Sequence, residues 1–256
     1  MRQAQEKLEK AQREEALPEQ QKALEELNQA KADLEEILRQ LREEQVERML
    51  AMLEGRFRKM LEMQVQVYEG TLRLDRVPES QRSRNQTIEA GRLSRKESLI
   101  VVEADKTLGL LREEGTAVAM PEAVDQMRAD MVQVVTRLGE AKTEQITQGI
   151  EEDIMTALEE MIAALQKAQK EMEQKKQQGK PMQGEPGDQP LVDALAELRM
   201  IRALQMRVNN RTETYRKLID GEQAENPDLL EALNQLADRE ERIFRTTRDI
   251  AVGKNQ

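Results

Sequence analysis

The sequence predicts an all-α protein: an elongated antiparallel three-helix bundle or coiled coil followed by a C-terminal αα-hairpin. Three observations carry that expectation. Charged residues make up 35% of the chain and aromatic residues 2%, with no His, Cys or Trp. Strong helix formers (Glu, Gln, Lys, Arg, Ala and Leu) fill nearly every window. Alternating runs of β-branched and aromatic residues, which mark strands, are missing.

The first helix is expected to start after Pro18, which removes a backbone donor and sets apart a frayed leader. Leu24, Leu27, Leu34, Leu38 and Leu41 follow three-four spacing, with Lys31 at the interrupted position; this is a narrow coiled-coil seam. Glu6, Glu9, Glu35 and Glu44 each precede a Lys or Arg by four residues, the favourable order for an ion pair. Beyond Leu41 the apolar pattern reads as an eleven-residue repeat (Leu38, Met49, Met60; Val46, Phe57, Tyr68; Leu50, Leu61, Leu72), a wider stripe facing at least two helices. Arg76-Val-Pro78 ends the helix, because a residue before Pro is pushed out of the α region.

The second helix carries a small-residue face (Ala90, Gly91, Ser94, Ser98), turns apolar from Leu99 and stops at Gly115. A third, single helix is expected from Pro121, through Met127, Met131, Val134 and Leu138, on to Leu165, fading near Gln178. Three Gly and three Pro between residues 179 and 190 mark a linker. Two more helices follow, the last opened by the cap-and-first-turn pair Asn226-Pro227. The chain therefore divides into a coiled-coil arm (1–41), a long-helix bundle (42–178), the linker (179–190) and a helical hairpin (191–256).

Composition also limits the chemistry. Without His there is no imidazole base, Ser-His-Asp triad or Glu-x-x-His di-iron site, and without Cys no disulfide or thiolate metal site. No Gly-rich phosphate loop occurs. The remaining metal candidate pairs Glu43, Glu44 and Glu47 with Glu122 and Asp125, similar to the Glu-Glu-x-x-Glu helix of all-α nucleotide pyrophosphohydrolases. In a chain with 50 acidic residues the simpler reading is a solvated face plus helix-dipole residues, so the carboxylate-metal hydrolase ranks third and no cofactor, metal ligand or catalytic residue is assigned. The methionines (Met49, Met52, Met60 and Met63; Met120, Met127 and Met131) read as core filling.

Two basic stretches stand against a net charge of −10. Arg199, Arg202, Arg207, Arg211, Arg216 and Lys217 are expected to pair across the hairpin with the acids of 220–241. Arg73, Arg76, Arg82, Arg84, Arg92, Arg95 and Lys96 have no such local complement and form the candidate patch for an anionic partner. The overall charge argues against general nucleic-acid binding. The longest apolar run, Leu99-Ile-Val-Val102, is too short to span a membrane.

The segment Leu198–Thr212, together with Met49–Pro78, resembles parts of large helical proteins of planctomycete-type bacteria. That resemblance carries no activity; it implies the soluble tail of a longer envelope protein, and the sequence leaves the compartment open: cytoplasmic, or periplasmic and envelope-associated if the chain is a fragment. The expectation is a non-enzymatic scaffold that self-associates as a homo-oligomer through Leu24, Leu27, Leu34, Leu38 and Leu41. A membrane-surface or envelope-associated protein using Arg73–Lys96 is the second reading.

Overall fold

A computed structural model describes residues 13–77, 83–177, 191–219 and 226–253, together with Arg2 and Gln5. Six helices are present among them: α1 (Arg13–Asp75), α2 (Arg84–Glu114), α3 (Ala119–Gly139), α4 (Gln145–Gln177), α5 (Ala194–Arg216) and α6 (Pro227–Ala251). The described residues fall into two compact units, those up to Arg48 in one and those from Met49 on in the other.

In the first unit α1 runs through Pro18 without stopping. Losing one donor there leaves a single carbonyl unbonded, and the helix formers on both sides hold the conformation. The separate leader expected before Pro18 is thus corrected for residues 13–17; the ion pairs expected from Glu6 and Glu9 involve residues outside those described. Glu44 pairs with Arg48 at 3.3 Å as expected, but Arg39 turns to Glu36, and Glu35 meets Lys31 at 3.5 Å.

The second unit is built on four antiparallel helices. The third helix expected over 121–178 is two, α3 and α4, so the bundle has four members where three were expected. The reversal lies at Glu140–Glu144, where Ala141 takes a positive φ of 57°. The apolar stripe Met127, Met131, Val134, Leu138 would next fall on Lys142 and Gln145, both polar, so continuing the helix would put charge in the core. Thr147 Oγ1 donates to the Lys142 carbonyl at 2.8 Å and Gln148 Nε2 to the Thr143 carbonyl at 2.7 Å, satisfying the turn.

Cross-helix contacts fix the order around the bundle. Arg56 reaches Glu103 from α1 to α2, and Ser94 Oγ donates to the Val135 carbonyl at 2.8 Å from α2 to α3. Arg137 Nε donates to Thr147 Oγ1 at 2.8 Å from α3 to α4. Gln166 Nε2 donates to Glu54 at 2.8 Å and Gln148 Nε2 to Asp75 at 2.9 Å, closing α4 onto α1. The small residues of α2 serve the closest of these contacts: Ala90 is buried, and a Cβ on Gly139 would lie 3.7 Å from Ser94 Oγ.

Each helix buries a three-four stripe. On α1 it is Leu50, Leu53, Phe57, Met60, Gln64, Val67 and Thr71; on α2, Ala90, Leu93, Glu97, Ile100, Ala104, Thr107 and Leu111. Met120, Val124, Met127, Met131, Val134 and Leu138 serve α3, and Thr147, Glu151, Ile154, Leu158, Met161 and Leu165 serve α4. Seven-residue periodicity on all four is the knobs-into-holes pattern of left-handed bundles. The eleven-residue reading of α1 is therefore corrected: Gln64 and Thr71 are polar and hid the true stripe, while Leu61, Tyr68 and Leu72 are only half-buried.

The caps behave as read. Pro121 sits in the first turn of α3, and Gly115 ends α2 at φ 76° with its N–H on the Leu111 carbonyl. Asn226 Oδ1 accepts from Asp228 N at 2.9 Å to open α6. The hairpin α5–α6 packs on α3 and α4. The linker expected at 179–190 lies outside the described residues.

Candidate interaction surfaces

The leucine seam is solvent-facing. Leu24, Leu27, Leu34, Leu38 and Leu41 are each 50–61% exposed, and Leu17 and Ile37 are more than half exposed too. Three-four spacing puts the five leucines on one face, with Lys31 at the polar position, where it pairs with Glu35. A row of half-exposed leucines is costly in water, at roughly 1 kcal/mol each for the area left uncovered.

The basic patch is exposed as well. Arg73, Arg76, Arg84, Arg92, Arg95 and Lys96 all face solvent around the end of α1 and the first turns of α2; Arg82 lies outside the described residues. Arg92 meets Glu89 at 3.2 Å, an exposed pair of little energetic weight. The other five have no acidic partner among the described residues.

In the second basic stretch Arg207 and Arg211 are used internally, with partners on the bundle and not across the hairpin; Asp220, Glu222 and Glu225, three of the expected acids, lie outside the described residues. Arg211 and Arg239 both clamp the buried carboxylate of Asp130 on α3, Arg211 at 2.7 and 2.9 Å and Arg239 Nη1 at 3.0 Å. Arg211 Nε also reaches Asp153 on α4, and Arg207 meets Glu160 there at 2.6 Å. Burial opposes ionisation of Asp130, yet the two guanidiniums hold its pKa down at about 2. Arg207 and Arg211 of α5 thus pair with the bundle, and the buried Asp130 needs that charge compensation. The hairpin is locked further by Glu197, whose Oε1 accepts from Val118 N at 2.7 Å and Ala119 N at 3.0 Å, at the start of α3.

Glu122 and Asp125, proposed from sequence as half of a carboxylate site, are both held by Arg242, with Glu122 Oε1 2.9 Å from its Nε. No cluster of three or more acids able to hold a metal occurs among the described residues.

The bundle core also contains a polar group that sequence reasoning missed. Gln64, Thr71, Glu97 and Glu151 occupy stripe positions on α1, α2 and α4 and are fully buried. Among the described residues neither carboxyl oxygen of Glu97 has a hydrogen-bond partner, and Glu151 Oε2 and both polar atoms of the Gln64 amide are likewise without one. Burial first, then the charge of Glu151, pushes Glu97 well above the carboxylate range, with the nearby Gln64 amide opposing only in part. Burial pushes Glu151 up to about 8 despite its contact with Thr71 Oγ1 at 2.8 Å. With its pKa near 8, Glu151 is mostly protonated at pH 7. Thr71 Oγ1 donates to Glu151 Oε1 at 2.8 Å and also lies 3.2 Å from the Val67 carbonyl. The available signal was periodicity: Glu97 falls three residues before Ile100 and four after Leu93.

Between α3, α4 and α5 lies a groove of about 360 Å³ floored by Ala123, Ala157, Ala164 and Ala203. Its floor is apolar, and Glu160, Lys167, Glu171 and Arg199 are among the charged residues that line it. In comparisons with protein-family models, with curated proteins and with solved structures, nothing matches the chain. No described helix is long and apolar enough to cross a membrane.

Proposed function

We propose that this protein is a non-enzymatic helical scaffold whose N-terminal segment pairs with a second copy of itself. One observation carries the reading: Leu24, Leu27, Leu34, Leu38 and Leu41 share one helix face and each leaves half or more of its surface in water. A second copy presents the same stripe and covers both at once, as the two-fold symmetry of most homo-oligomers requires. Lys31 at a core position sets the register of such a pairing and lowers its strength. The remainder of the chain supports the assembly role, since its buried charges serve to dock α5–α6 on α3 and α4.

Light scattering during size exclusion tests this on the full chain. The wild type is expected at twice the 29.5 kDa chain mass or a higher multiple. Leu27→Asp with Leu34→Asp is expected to run as a monomer at unchanged helicity. A wild type that stays monomeric at tens of micromolar overturns the proposal.

A further inference from the structure

We propose that the outward face of α2, with the arginines of the α1–α2 turn beside it, docks on an anionic lipid bilayer. This goes beyond self-association and rests on different residues. At 100° per residue, Arg84, Ile88, Arg92, Arg95, Leu99, Val102 and Lys106 fall within about 80° of arc, directly opposite the buried stripe of α2. No acidic residue lies on that arc between Arg84 and Lys106. Its apolar members are unusually open: Ile88 is 46% exposed, Val102 47% and Leu99 59%. Among the described residues Arg84 and Arg95 have no acidic partner, nor do Arg73, Arg76 and Lys96 alongside, while Arg92 meets Glu89 at 3.2 Å and Lys106 meets Glu103 at 3.1 Å.

The pattern selects the partner. Four cations over roughly 33 Å of helix suit an extended anionic surface better than a single phosphate ligand. A protein of net charge −10 is repelled from such a surface everywhere except through a patch of this kind. Ile88, Leu99 and Val102 gain nothing against a nucleic-acid backbone, whereas apolar and cationic side chains sharing one helix face are the signature of interfacial binding. The face is the convex side of one helix, with none of its residues in the alanine groove, which fits a fluid plane better than a folded acidic partner. Basic residues near an anionic surface each strengthen binding several-fold, so five to seven suffice for reversible attachment.

Vesicle co-sedimentation of the full chain at low salt tests the proposal, with phosphatidylglycerol–phosphatidylcholine vesicles, pure phosphatidylcholine vesicles and soluble polyglutamate in parallel. Binding is expected to the anionic vesicles alone and to disappear in high salt. Arg92→Glu with Arg95→Glu is expected to weaken it by about tenfold or more, and Leu99→Ser with Val102→Ser by a smaller factor. Both pairs lie on the surface, so helicity and thermal midpoint should match the wild type. The scattering mass of the charge-reversal variant should also match, which separates docking from assembly. No binding to anionic vesicles, equal binding to neutral ones, undiminished binding by the charge-reversal variant, or capture by polyglutamate without vesicle binding each overturns the proposal.

Discussion

Replacing Glu151 with Gln should stabilise the protein at neutral pH and flatten its pH dependence. Glu151 is buried against Thr71, and its pKa rises from the ordinary 4.5 to about 8 because desolvation disfavours the anion. An acid whose folded pKa is raised contributes its full stability below pH 4.5 and loses it as pH climbs toward 8. Each pH unit in that window costs about 1.4 kcal/mol, so the loss at pH 7 is about 3 kcal/mol. Gln cannot ionise, and its amide oxygen can accept from Thr71 Oγ1 as the Glu151 carboxyl does. At pH 7 the variant should therefore melt about 6–12 °C above the wild type, and the difference should vanish near pH 4.5. Thermal unfolding followed by circular dichroism every half unit from pH 4.5 to 8.5 measures both slopes. A wild-type midpoint that does not fall between pH 5 and 8, or a variant that falls in parallel with it, would refute the reasoning. Glu97→Gln should act in the same direction, since Glu97 is also raised by burial.

Asp130→Asn should leave Arg239 buried without its acidic partner and Arg211 with Asp153 alone, at a cost of about 3–5 kcal/mol. Hydrogen exchange should show α5 and α6 losing protection before the four-helix core. With Asp130 held at about 2, the docked hairpin should keep this contribution above pH 4 and lose it as pH falls through 2. Lys31→Leu should tighten self-association roughly tenfold by completing the seam, measured by analytical ultracentrifugation. Gly55, Gly109 and Gly149 have open space where a Cβ would sit, so the triple Ala variant should gain about 2 kcal/mol in urea unfolding. Gly70→Ala should gain nothing, because its Cβ would come within 2.6 Å of Leu93.

Much of this protein was determined along the chain. Helicity, the stop before Pro78, the cap at Gly115, the Asn226-Pro227 start and the leucine seam are local properties, decided by φ restriction, missing donors and three-four spacing. The candidate seam and the unpaired arginines were legible for the same reason: a surface residue needs no distant partner to be where its helix places it. Other features needed the tertiary structure. The reversal at 140–144 has no Pro and only Gly139 as punctuation; it exists because a continued α3 would drive Lys142 and Gln145 into the core. Glu97 and Glu151 could not be told from the other acids, since one residue's place on a buried stripe depends on which helices cover it. The pairing of Arg211 and Arg239 with Asp130 reversed the expected hairpin pairing, because a buried carboxylate on α3 attracts its counter-charges from whichever helices pack over it. Local stereochemistry wrote the helices into the sequence, whereas the cost of burying charge was settled only when the helices met.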